Sequence, residues 1–214
     1  MNYLPLALVL LASSAHAEDS DAALILNGCV IAESSQCPGA NLRGARLANQ
    51  DLRKMNLSGA DLRDADLRHA RLDLANLERA RLQGANLTRA SLQQSNLRLA
   101  DFTGATLKAI QGWGLFAQGA QLQRADLSAA YLQFARLSGA RLHGANLQAA
   151  DLEMAWLSKA DLKGADLRDA NLQEAKFGES NLEQADLSGS RQHYGNFQDA
   201  NMQDCKGCPE SWDR

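Results

Sequence analysis

Four cysteines, three of the four histidines (His69, His143 and His193; His16 lies in the signal-like N-terminal segment) and a long series of aspartates are the residues whose types could do chemistry. Cys29 and Cys37 lie toward one end of the 214-residue chain, and Cys205 and Cys208 toward the other. In an exported chain such pairs form disulfides by default, so Cys29–Cys37 and Cys205–Cys208 are the expected links. Cys205-Lys206-Gly207-Cys208 has two sharper readings. A zinc site needs four ligands, and the other cysteine pair is far away. A thioredoxin-like redox pair needs a βαβ setting, which the sequence lacks. The histidines keep no spacing to a nucleophile or an acid/base partner. A P-loop, a glycine-rich dinucleotide fingerprint and the nonapeptide pattern of calcium β-rolls are all missing. The chain is therefore read as a non-enzyme, with no catalytic, cofactor-binding or metal residues and no cofactor.

The aspartates belong to a repeat, and the repeat dictates what positions them. From Leu42 to Met202, Leu, Phe or Met recurs every fifth residue in 30 of 33 units; Gly112, Ala117 and Gln192 are the exceptions. Two residues before each of these positions, 25 of 33 residues are Ala. A helix cannot use this period: five residues advance it by about 500°, so the leucines would point to every side. In a short extended piece, residues two apart share one face. Ala and Leu then point in, and the residue between them points out; it is Asp or Asn in 19 of 33 units. The last two residues of each unit must turn a corner, and ten of the 16 glycines sit at the second of these. Ala lets the walls approach and Leu fills the centre, so the interior is packed with no room for a ligand.

Units such as Ala60-Asp61-Leu62-Arg63-Asp64, Ala85-Asn86-Leu87-Thr88-Arg89 and Ala165-Asp166-Leu167-Arg168-Asp169 resemble the A(D/N)LXX signature of pentapeptide repeat proteins. The resemblance implies an all-β fold, a right-handed quadrilateral β-helix with four pentapeptides per turn. The 33 units would make about eight coils, a rod roughly 40 Å long at ~4.8 Å per strand spacing. Residues 20 apart would then stack in columns. One column places Arg81 between Asp61 and Asp101, and Arg141 beside Asp161; another puts Asp166 against Asp186.

The ends are read differently. Residues 1–17 have the pattern of a signal peptide: a short apolar run, Leu4 to Ala12, then the small-x-small Ala15-His16-Ala17. Residues 18–39 are expected to form an N-terminal capping segment, with the run Ala22–Leu26 as plug or edge strand stapled by Cys29–Cys37. Residues 40–203 form the β-helix, and 204–214, with Pro209 and Trp212, a small C-terminal cap. The expected location is periplasmic or secreted, with no membrane insertion.

The pattern breaks at Ile110-Gln111-Gly112-Trp113-Gly114-Leu115-Phe116-Ala117. Either the coil continues with large and small residues exchanged between the two inward sites, or the segment bulges out as a loop. The continuous coil is favoured, because the exchange roughly conserves volume. Trp113, Phe116, Tyr131, Phe134 and Trp156 all fall outside the inward sites, and column stacking maps them to two neighbouring sides. Exposed aromatics gathered this way mark a candidate interaction patch.

The net charge of −3 is unevenly placed: residues 40–110 carry 12 Lys and Arg against 7 acids, and residues 111–214 carry 10 against 14. The leading functional expectation is an exported, non-enzymatic protein-binding scaffold, its partner another protein or a second copy as in a homodimer. The alternative comes from the resemblance. Some pentapeptide repeat proteins imitate duplex DNA and bind DNA gyrase, protecting it from quinolones. An export signal and a basic first half both count against that here. No nucleic-acid partner is expected.

Overall fold

The computed structural model describes residues 24–210. Single parallel bridges link residues 20 apart, from Gln36 with Asn56 through to Asp186 with Lys206. Four five-residue units thus complete each coil, which makes the chain the quadrilateral β-helix that the family resemblance implies. Side one carries every twentieth residue from Asn41 to Asn201, and side two those from Arg46 to Lys206. Side three runs from Asp51 to Arg191, and side four from Gln36 to Asn196.

In an interior unit with an outward Asp or Asn, all five backbone N–H groups are paired. In the unit starting at Ala60, Ala60 donates to the Leu57 carbonyl across the corner at 3.0 Å. Asp61 donates back to Ala40 of the preceding coil at 2.9 Å; Leu62 and Asp64 donate forward to Arg81 and Gln83 at 2.7 and 3.1 Å. The fifth N–H, on Arg63, begins the corner and finds its acceptor in the Asp61 side chain, 3.3 Å away. All 19 outward Asp and Asn residues of the 33 units accept this same i+2 bond. The preference for Asp and Asn therefore has a backbone cause, since their side chains pair a corner N–H that has no backbone acceptor.

The corners share one geometry. The second corner residue has positive φ at every fifth position from Ser34 (64°) to Asp204 (57°), while the first corner residue does not. With the closing bond from the next Ala N–H to the preceding Leu carbonyl, this is a type II turn. Glycine is at home there, yet residues as bulky as Leu74, Phe134 and Met154 adopt it.

The core is one continuous cluster of four stacked Leu columns, one from each side, walled by Ala, almost all fully buried. Phe177 and Phe197 stack in parallel on successive coils, ring centroids 4.8 Å apart. Residues 110–117 continue the coil. Gly112 donates to Tyr131 and Ala117 to Arg136 as regular units do, at 2.7 and 2.8 Å. Ile110 and Leu115 are buried at the Ala sites. A Cβ on Gly112 would lie 2.5 Å from Leu115 Cδ2, so Leu115 occupies the space that Gly112 leaves empty.

Both ends carry their expected disulfides, Cys29–Cys37 and Cys205–Cys208. A hairpin of β1 (Leu24–Leu26) and β2 (Cys29–Ile31) precedes the rod. Coil pairing starts before the repeat signature: Cys37 occupies a Leu site and donates to Asn56 at 2.8 Å. Glu33 binds Arg53 and Lys54 of the next coil. At the other end Gln192 fills a Leu site in the last coil, and its Nε2 donates to the Gly207 carbonyl at 2.7 Å. That bond ties the tail across the coil end and accounts for this exception to the repeat. Residues 1–17, Ala22, Ala23 and Trp212 lie outside the described residues, as do the expectations that rest on them.

Candidate interaction surface

The polar side chains of the rod are engaged mainly with one another. Four Asp-x-Arg pairs clip the corners. In Asp61–Arg63, Nε donates to Oδ1 at 2.8 Å and Nη2 to Oδ2 at 2.7 Å. Asp51–Arg53, Asp66–Arg68 and Asp166–Arg168 repeat the fork. The guanidinium hydrogen bonds hold Asp51, Asp61 and Asp66 at about 2, below the usual carboxylate range. Arg81 pairs with Asp61 at 2.7 Å; Asp101, its other expected neighbour, takes Gln83 Nε2 instead, at 2.6 Å. Arg141 and Asp161 form no ion pair among the described residues, and Asp161 accepts from Asn181 at 3.0 Å. The like-charged Asp166 and Asp186 both sit low, Asp166 through its hydrogen bonds with Arg168, and Asp186 through its hydrogen bonds with Ser188, with Lys206 and Arg168 adding opposing charge.

The three histidines among the described residues, His69, His143 and His193, occupy three different corners. No group of three or more His, Cys, Asp or Glu among the described residues is arranged to hold a metal. No helix among them is long and apolar enough to cross a membrane.

The five aromatics do come together, on sides three and four and the corner between them. Trp113 and Phe134 share that corner, ring centroids 5.9 Å apart. Phe116 and Trp156 belong to the outward column of side four, and Tyr131 to that of side three. Trp113, Tyr131, Phe134 and Trp156 are all more than two-fifths exposed. A shallow groove runs between Leu74, Gln94, Trp113, Phe116, Phe134 and Arg136, floored by Gly114. A second, lined by Gln93, Gln111, Trp113, Tyr131 and Gln133, lies on the side-three flank.

Sequence reading missed the residues that complete this surface. Leu74 stands in the same corner column as Phe134, and Arg136 stands in the column of Phe116 and Trp156. Counting in steps of 20 from either aromatic would have found both. Arg136 lies over Phe116 at 5.0 Å and Trp156 at 5.5 Å. Arg98 approaches Phe116 at 5.3 Å, and Lys176 approaches Trp156 at 5.2 Å. Aromatic and cation thus alternate along four coils of one side.

The family model for pentapeptide repeats matches the chain in eight copies, over residues 40–79, 80–109, 125–164 and 165–206. The unmatched stretch between 109 and 125 contains the exchanged Ile110/Gly112 and Leu115/Ala117 sites, where the Ala and Leu signature is lost. Among curated proteins no significant match was found. Solved structures similar to the chain include HetL, a pentapeptide repeat protein involved in heterocyst differentiation regulation from the cyanobacterium Nostoc sp. strain PCC 7120. It is 27% identical, with 79% of this chain and 89% of that one covered and a TM-score of 0.39. QnrB1, a plasmid-mediated fluoroquinolone resistance protein, is 22% identical over 72% of this chain and 86% of its own, TM-score 0.48. A pentapeptide repeat protein from the Arabidopsis thaliana thylakoid lumen is 26% identical over 60% and 72%, TM-score 0.23.

Proposed function

The chain belongs to the pentapeptide repeat family, and on that premise we propose that it is an exported, non-enzymatic scaffold that binds another protein through the aromatic surface of sides three and four. The observation that carries this reading is the gathering of Trp113, Phe116, Tyr131, Phe134 and Trp156 on one part of a rod whose fold needs none of them. Ala and Leu suffice inside, and Asp or Asn outside satisfies the corner N–H. Exposed Trp and Tyr commonly anchor interfaces, where truncating one costs about 2 kcal/mol or more. Two disulfides and the signal-like residues 1–17 support export to the periplasm or beyond. Imitation of DNA is disfavoured, because residues 40–110 carry an excess of five positive charges where a mimic needs negative ones.

The test is the triple change Trp113→Ser, Tyr131→Ser and Trp156→Ser. Folding should survive, with the melting temperature nearly kept. Capture of a cross-linked partner in intact cells, or oligomer mass by light scattering, should fall. A variant that melts far earlier while association is unchanged would make the aromatics wall packing and end the interface reading.

A further inference from the structure

We propose that side four, around Arg136 and the groove over Gly114, binds an extended acidic segment of a partner protein that carries a large apolar side chain next to its carboxylates; this rests on the protein-binding reading above.

The charge of this side comes first. From Gln94 to Lys159, the outward and corner residues of side four include Arg98, Arg136 and Lys159 against one acid, Glu153. Lys176 follows on the next coil, whose corners carry Glu174 and Glu179, the latter paired with Lys159 at 3.5 Å. In a chain of net charge −3, whose residues 111–214 carry four more acids than bases, the stretch around Arg98 and Arg136 is locally positive. Arg136 and Lys176 are exposed and form no ion pair among the described residues, in contrast to the clipped arginines of the early coils.

The orientation of the cations points to carboxylates. Arg136 is flanked by Phe116 on the coil before and Trp156 on the coil after. A guanidinium held between two rings keeps its in-plane N–H edge free, and that edge matches a carboxylate bidentately. The same stacking occupies the π faces of Phe116 and Trp156. Bases of single-stranded nucleic acid need free ring faces, so these two rings are poor platforms for them.

The groove supplies the third feature. Along the corner column, Leu74, Gln94, Phe134 and Met154 carry side chains, and Gly114 does not. The gap is walled by Leu74, Trp113, Phe116 and Phe134 and opens directly onto Arg136. It accepts an apolar side chain beside an anion, a pairing that an acidic peptide offers and a bare polyanion does not. Two sites along the rod fix the direction of the segment. Arg136 and Lys176 are two coils apart, or ~9.6 Å at the usual strand spacing. Residues three apart in a polyproline II segment span about 9.3 Å, so their carboxylates can reach both.

The experiment uses the mature chain with both disulfides formed and, as probe, the capped peptide Asp-Glu-Phe-Asp-Glu. Binding is followed by calorimetry at low salt and by tryptophan emission. The acidic peptide should bind at least about tenfold more tightly than the neutral Asn-Gln-Phe-Asn-Gln, and salt should weaken it. Arg136→Glu should abolish binding, and Arg136→Gln should weaken it. Gly114→Leu should also weaken it by filling the groove; its position has φ +62° and only Gln94 Cγ near, at 3.8 Å, so the coil accommodates it as it does Leu74. Equal binding of both peptides, no binding of either, or indifference to Arg136→Glu and Gly114→Leu would overturn the proposal. Tighter binding of a ten-nucleotide oligothymidylate or of phosphatidylglycerol vesicles would overturn it in favour of nucleic acid or a membrane surface. In cells, a cross-linked partner lost from the Trp113/Tyr131/Trp156 variant but kept by Arg136→Glu would refute the acidic segment alone. A partner kept by both would refute the interface itself.

Discussion

Ala149 and Ala150 are neighbours in sequence, yet replacing each with glycine should shift stability in opposite directions. Ala149 is the second residue of a corner, exposed, with φ at 55°. A Cβ in that left-handed region costs roughly 1–2 kcal/mol. Glycine removes this strain but frees the unfolded chain, at a cost of about 0.4–1 kcal/mol. The net for Ala149→Gly is a gain of about 0.5–1 kcal/mol. Ala150 is an inward wall residue, only 1% exposed and with ordinary φ. Removing its methyl forfeits about 0.8 kcal/mol of burial and adds the same unfolded-state cost, so Ala150→Gly should lose about 1.5 kcal/mol. Urea midpoints of the two variants, measured with the disulfides intact, should straddle that of the parent. Two losses of similar size would mean that the corner is not left-handed at 149. A gain at Ala150 would mean that the register is displaced.

Three further outcomes follow from the same geometry. Leu147→Asp should unfold the rod or nearly so: a fully buried Leu is lost, at about 2–5 kcal/mol, and a carboxylate must be protonated or hydrated in the centre. Gln148→Asp, one residue on, should stay within about 0.5 kcal/mol, and equal thermal stabilities would contradict the inward assignment. Stability should be flat from neutral pH down to about 4 and then fall as pH drops toward 2. The sign follows from Asp51, Asp61 and Asp66, whose folded pKa values of about 2 lie below their unfolded ones, so protonation favours unfolding. Arg63→Gln should lower stability at neutral pH and make the acid loss smaller, because the folded pKa of Asp61 then moves back toward its unfolded value. Protein recovered from its native compartment should begin at Glu18 with both disulfides closed, as intact mass and non-reducing peptide mapping will show. A retained Met1 with free thiols would contradict export.

The period of five made the inward residues and the corners legible, and the family resemblance supplied the four-sided coil and its columns. Both left the reason for Asp and Asn unread. That reason is a hydrogen bond from the corner N–H of residue i+2 to the side chain, and composition alone looks the same for a merely solvated face. The exchanged sites at 110–117 were readable as conserved volume, but that Leu115 itself fills the space at Gly112 depends on side-chain reach. The aromatic patch was visible as residues with no structural task. Arg136, Lys176 and Leu74 were not, since charged and aliphatic residues at outward positions stand out only when the column is followed through neighbouring coils. The early start of the coil, at Cys37, was hidden because Cys and Ser there replace Leu and Ala.

The claim that sides three and four form the working surface is tested most directly by site-specific photo-cross-linking in intact cells. A benzophenone amino acid is placed at Phe134, in the corner of the patch, or at Asn146, in the outward column of side two, opposite side four. Adducts to one protein species from position 134 and none from 146 are the expected result. Adducts from 146 alone, or equally from both, would contradict the account.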